Sequence, residues 1–130
     1  MTSARERDEF DRIFEEVFDG LPDDVAELLE EVPVIVEDEP SREVLAEFGI
    51  KARPGEADLC GLHAGLPLPD RSVFEPSTGP TRICLFRGPI LRLADGRPRA
   101  LARQIRITLL HEIGHLFGFS EERLRDLGYD

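Results

Sequence analysis

The residues best suited to chemistry lie near the end of the chain, in His111-Glu112-Ile113-Gly114-His115. Two imidazoles four residues apart project from one face of a helix and can grip a single Zn²⁺, and the glutamate between them can act as general base on a zinc-bound water. A catalytic zinc site takes three protein ligands and keeps a fourth position for water. His111 and His115 supply two. Gly118 can adopt the left-handed conformation that ends a helix, which lets the chain turn back toward the metal. Glu121 then falls three residues further on, giving H-E-x-x-H-x-x-G-x-x-E. Glu121 is the candidate third ligand, and the adjacent Glu122 could compete with it.

The motif needs a helix beneath it, and the pattern provides one. Leu101, Ile105, Thr108, Leu109, Glu112 and Leu116 recur at helical spacing between Pro98, suited to a first turn, and Gly118. Ser120 can cap a further short helix to Leu127. Upstream, Phe10, Ile13, Phe14, Val17 and Phe18 form the apolar stripe of an amphipathic helix over 6–19, which Gly20 and Pro22 end. A short helix over 23–30 follows. Val32 to Val36 reads as a strand that Pro33 confines to a strand start or an edge. Another short helix covers 43–48. Leu59 to Leu62 can form a short strand, and Arg82 to Arg87 a strong one that Gly88-Pro89 interrupts. Residues 51–81 are rich in Gly and Pro and read as an active-site rim.

At 130 residues the chain forms one domain, residues 1–130, with an ordinary apolar fraction of 41%. Its net charge of −11 is uneven: residues 1–47 carry 17 acids and 4 bases, and residues 48–130 carry 10 acids and 12 bases. Nucleic-acid binding is not expected, because phosphates need Lys and Arg. The arginines at 87, 92, 97, 99, 103 and 106 could meet an acidic partner or the acidic N-terminal helix of the same chain, and the second is expected. The charged start has no apolar signal-peptide core and no run is long enough to span a membrane, so the expected compartment is the cytoplasm. Cys60 and Cys84 read as half-buried thiols rather than a disulfide framework.

The motif resembles the zinc-binding pattern H-E-x-x-H-x-x-G-x-x-[H/D] of metzincin and aspzincin metallopeptidases. The whole chain, from about residue 6 onward, resembles the small bacterial zincin-like family sometimes called mini-zincins. The resemblance extends through Val34 to Pro40, Asp58-Leu59-Cys60-Gly61-Leu62, Arg82 to Arg87 and Leu127-Gly128-Tyr129. It implies an α+β minimal zincin fold: a small mixed sheet, a long N-terminal helix and an active-site helix carrying H-E-x-x-H. It also implies a Zn²⁺ cofactor, ligands His111 and His115, Glu112 as catalytic base, and a peptide or protein substrate. Glu121 stands where the family pattern most often has Asp. Met1 is the only methionine, so a metzincin-type Met-turn has no counterpart. Tyr129 resembles a family tyrosine that packs beneath the site or stabilises an oxyanion.

Blander readings stand beside these. His63, in a Gly-rich stretch, reads more readily as a surface or rim histidine than as a ligand. Tyr129 suits a packing role as well as a catalytic one, and Phe117 and Phe119 read as core. The small size, the Asp-to-Glu change at 121 and the missing Met-turn support an alternative, a catalytically weak or inactive zincin-fold binding or regulatory module. An exposed sheet edge in so small a domain leaves a homodimer open.

Overall fold

The structure, a computed structural model, describes residues 2–65 and 81–128. Six helices and three strands follow one another along these residues. They are α1 (Ala4–Asp19), α2 (Asp23–Leu28), β1 (Val34–Glu37), α3 (Arg42–Glu47), β2 (Gly61–Ala64), β3 (Arg82–Phe86), α4 (Arg87–Ala94), α5 (Pro98–Phe117) and α6 (Glu121–Asp126). The strands make one mixed sheet in the order β1-β3-β2. β1 runs parallel to β3, with Val34 opposite Ile83 and Val36 opposite Leu85. β2 runs antiparallel to it, with Gly61 opposite Leu85 and His63 opposite Ile83. The expected α+β architecture is therefore present.

Period-two alternation divides β3 between two apolar clusters. Ile83 and Leu85 enter the main core, and Cys84 and Phe86 enter a smaller cluster with Leu62, Val44, Leu59 and Ala64. Helix α5 lies across the first face. Its Leu101, Ile105, Leu109, Ile113 and Leu116 recur every third or fourth residue and are all buried. Helix α1 closes the far side of this core with Phe10, Ile13 and Val17, and Val25 from α2 joins them. A capping box starts α1: Ser3 Oγ accepts from the Glu6 N–H, and the Glu6 carboxylate accepts from the Ser3 N–H.

Part of the charge asymmetry is met by ion pairs inside the chain. Arg87 donates to both carboxylate oxygens of Asp11 on α1, at 2.9 and 3.0 Å, and to Asp38 at 3.0 Å. This bears out the expected pairing with the N-terminal helix for Arg87. Arg92 instead forks onto Glu39, in the turn after β1.

Three expectations need correction. Gly88-Pro89 does not break the chain but lies in the first turn of α4, which starts directly after β3. Proline is tolerated there because first-turn N–H groups lack intrahelical partners. The strand expected over 32–36 begins after Pro33, whose carbonyl still accepts from the Ile83 N–H. The strand expected over 59–62 is shifted to 61–64. Among the described residues no helix is long and apolar enough to cross a membrane.

Helix α1 is part of the core rather than an appendage, because the fully buried Phe10 ring packs within the same cluster as α5. Phe10→Ala is expected to lower the free energy of unfolding by about 3–5 kcal/mol, read from the shift of the urea midpoint. A loss below about 1 kcal/mol would mean that α1 is only loosely attached.

Candidate functional site

The candidate site residues His111, Glu112 and His115 stand on the last turns of α5. This helix of about 30 Å ends where Gly118 turns left-handed, at φ 72° and ψ 36°, and both the Gly118 and Phe119 N–H groups bond back to the Gly114 carbonyl. That closing pattern needs a residue without Cβ strain at position 118. The four-residue spacing brings the His111 and His115 rings together with centroids 4.2 Å apart. His111 is half-buried and His115 exposed, so the pair opens to solvent. Glu112, the next residue along the helix from His111, is buried, 8% exposed.

A buried carboxylate is costly without hydrogen bonds, and strand β2 provides one. His63 Nδ1 lies 2.9 Å from Glu112 Oε1. The His63 ring also stands edge-on to His115, with centroids 6.1 Å apart. Gly61 makes this approach possible. A Cβ built there would fall 2.8 Å from Thr108 Cγ2, closer than real side chains come, and 3.0 Å from the Cys84 carbonyl oxygen, a tight approach. Gly61 and His63 share one face of β2, as Thr108 and Glu112 share one face of α5. Two residues of strand advance about 6.6 Å and four residues of helix about 6 Å. The two pairs therefore stay in step.

His63 was expected on the rim and is instead part of the site. The signal for it was the i, i+2 relation of Gly61 and His63. Placing the strand over 59–62 left His63 beyond its end and hid that relation.

The remaining candidates are less assembled. Glu121 and Glu122 open α6, and both are exposed. Ser120 caps α6 by accepting from the Arg123 N–H. Leu124 packs over Gly114, within 3.0 Å of where a Cβ would stand. Arg123 pairs with Asp24 and lies over the Phe119 ring at 5.6 Å. Among the described residues no group of three or more His, Cys, Asp or Glu side chains is arranged to hold a metal ion. The structure thus brings together His111, His115, Glu112 and His63, and does not add Glu121 to the imidazole pair. Tyr129 lies outside the described residues. The paired imidazoles beside a held carboxylate still suit zinc chemically, in two of its three protein positions.

The thiols stand outside this set. Cys60 borders Gly61, and burial, with Asp58 adding to it, pushes its pKa up to about 11. Burial also raises Cys84, with Glu37 in the same sense. Metals bind the thiolate, so neither residue is poised as a ligand. Folding that raises a thiol pKa protects the proton, and Cys60 in the folded protein is expected to react with iodoacetamide at about pH 8 roughly 100-fold more slowly than in urea. Equal rates in the two states would refute the burial effect.

A family model described as zincin-like metallopeptidase matches residues 29–129. No curated protein matches the chain at a significant level. The match runs from the residue after α2 through the sheet, the His111–His115 helix and α6, leaving α1 and α2 outside it. On that coverage the chain belongs to the zincin-like metallopeptidase family.

Proposed function

We propose that this protein is a zinc-dependent peptidase that hydrolyses peptide bonds, with Glu112 as general base. The observation that carries this reading is the placement of Glu112, buried and held at 2.9 Å by His63, directly between the two paired imidazoles in sequence. His111 and His115 would hold the metal, with Glu121 completing the set. Zinc, when bound, supplies a Lewis acid for the scissile carbonyl and lowers the pKa of water. The chain's own residues do the rest. One oxygen of Glu112 is engaged by His63, which leaves the other to take a proton and return it to the leaving amine. Among the described residues β2 is an edge strand beside Glu112, and its free backbone groups suit an extended peptide added as a further strand.

A second reading has its own observation. The lack of a three-donor group among the described residues favours a zincin-fold binding module with weak or no metal affinity. The two readings differ in metal content.

Glu112→Gln is expected to lower kcat/KM on a peptide library at least about 100-fold while leaving bound zinc unchanged. Equal cleavage by this variant and the parent would sink the general-base role. Purified parent protein should hold about one zinc per chain, and His111→Ala should lower that content. A parent that is metal-free as isolated, and takes up none at micromolar zinc, would support the binding module.

A further inference from the structure

We propose that His63 is a positioning residue of this site: its Nδ1–H, brought in by β2, holds one oxygen of Glu112 and so aims the other at the reacting water. The proposal rests on the reading of Glu112 as the base, and it concerns a residue outside the H-E-x-x-H segment. Glu112 Oε1 and His63 Nδ1 are 2.9 Å apart. An ionised carboxylate only accepts hydrogen bonds, so the proton between them belongs to the imidazole and fixes its tautomer. The terminal torsion of a glutamate is broad and sets no orientation by itself. In this pocket one hydrogen bond supplies it.

The surroundings show that the contact is built rather than incidental. The Glu112 side chain is 10% exposed and that of His63 is 26% exposed, so the contact is largely withdrawn from solvent. The contact links residues 49 apart in sequence. It forms only because Gly61 lets β2 approach Thr108 one helical turn earlier, with no room for a Cβ. The neighbouring side of the same strand, Leu62 and Ala64, is committed to the smaller apolar cluster. The register is therefore locked on both faces, and His63 has one place to go.

The test uses three substitutions that separate filling space from donating at a defined point. Asparagine can place its amide nitrogen near the Nδ1 position, glutamine reaches nearer the Nε2 position, and phenylalanine fills the volume without a donor. His63→Phe and His63→Gln are expected to lower kcat by about 10–100-fold with KM and zinc content little changed, and His63→Asn to restore most of the loss. Full activity in His63→Phe, or rescue by glutamine and not asparagine, overturns the proposal.

A second measurement needs no turnover. In the zinc-free protein, nitrogen-15 histidine spectra should show His63 as the Nδ1–H tautomer, and Glu112→Ala should abolish that preference. An Nε2–H tautomer in the parent overturns the proposal. A parent with the Nδ1–H tautomer and no peptidase activity supports the hold on Glu112 and tells against the peptidase reading alone.

Discussion

Helix α5 must satisfy two neighbours at once, and the close approach of β2 to it is the constraint on which the site depends. One line of α5, from Leu101 to Leu116, is committed to the core. The adjacent line carries Thr108 and Glu112, both buried and both polar. Burying that second line is tolerable only if something satisfies the carboxylate. The distance between helix and strand is set by Gly61, and any side chain there would press on Thr108 and on the Cys84 carbonyl. At that distance the next residue on the same face, His63, reaches Glu112. A packing contact and a polar contact are thus two consequences of one approach. The same register brings the His63 ring edge-on to His115, with centroids 6.1 Å apart.

The end of α5 is governed by a second set of contacts. Gly118 reverses the chain, and Leu124 closes α6 over Gly114. Arg123 ties α6 to Asp24 on the N-terminal side of the fold. These contacts fix the direction in which α6 leaves, and with it the position of Glu121 as the first residue of that helix. The longer reach of Glu compared with Asp matters here. A carboxylate with an extra methylene can approach a metal from a helix start that a shorter one would not span, at the cost of more rotamer freedom to lose on binding. His111 and His115 need no such adjustment, because their spacing on one helix brings them together before any metal arrives.

Much of this arrangement was legible in the residues. Regular spacing on long elements carried α1 and α5, and the pattern of His111, Glu112 and His115 carried the nucleus of the site. The N-terminal cap of α6 followed from Ser120. The failures have local causes. Gly88-Pro89 looks like punctuation, yet β3 passes straight into α4 and proline costs nothing in a first helical turn. Helix α4 is short, and its pattern was obscured by that dipeptide. β2 is only four residues long, and Gly61-Leu62-His63-Ala64 has little strand propensity of its own. It is a strand because β3 pairs with it and α5 packs on it. His63 was missed for that reason. Its role depends on a register that tertiary packing imposes and that no local pattern records.

The two outer strands of the sheet also differ in what they offer an added chain. β1 ends in Glu37 and is followed by Asp38 and Glu39, which are held in ion pairs with Arg7, Arg87 and Arg92. Charged residues engaged at a strand end discourage further pairing. β2 carries no acid or base apart from His63, whose ring turns inward to Glu112. Its outward backbone, among the described residues, lies at the sheet edge opposite β1. A peptide added to β1 would lie at the far edge of the sheet from β2, whereas one added to β2 would lie about 4.8 Å from the strand that contacts Glu112. This difference between the edges is what would give the proposed reaction a direction. The strand that orients Glu112 is also the strand on which an extended substrate would be laid. A shift of β2 along α5 would therefore disturb the His63–Glu112 contact and the proposed substrate edge together.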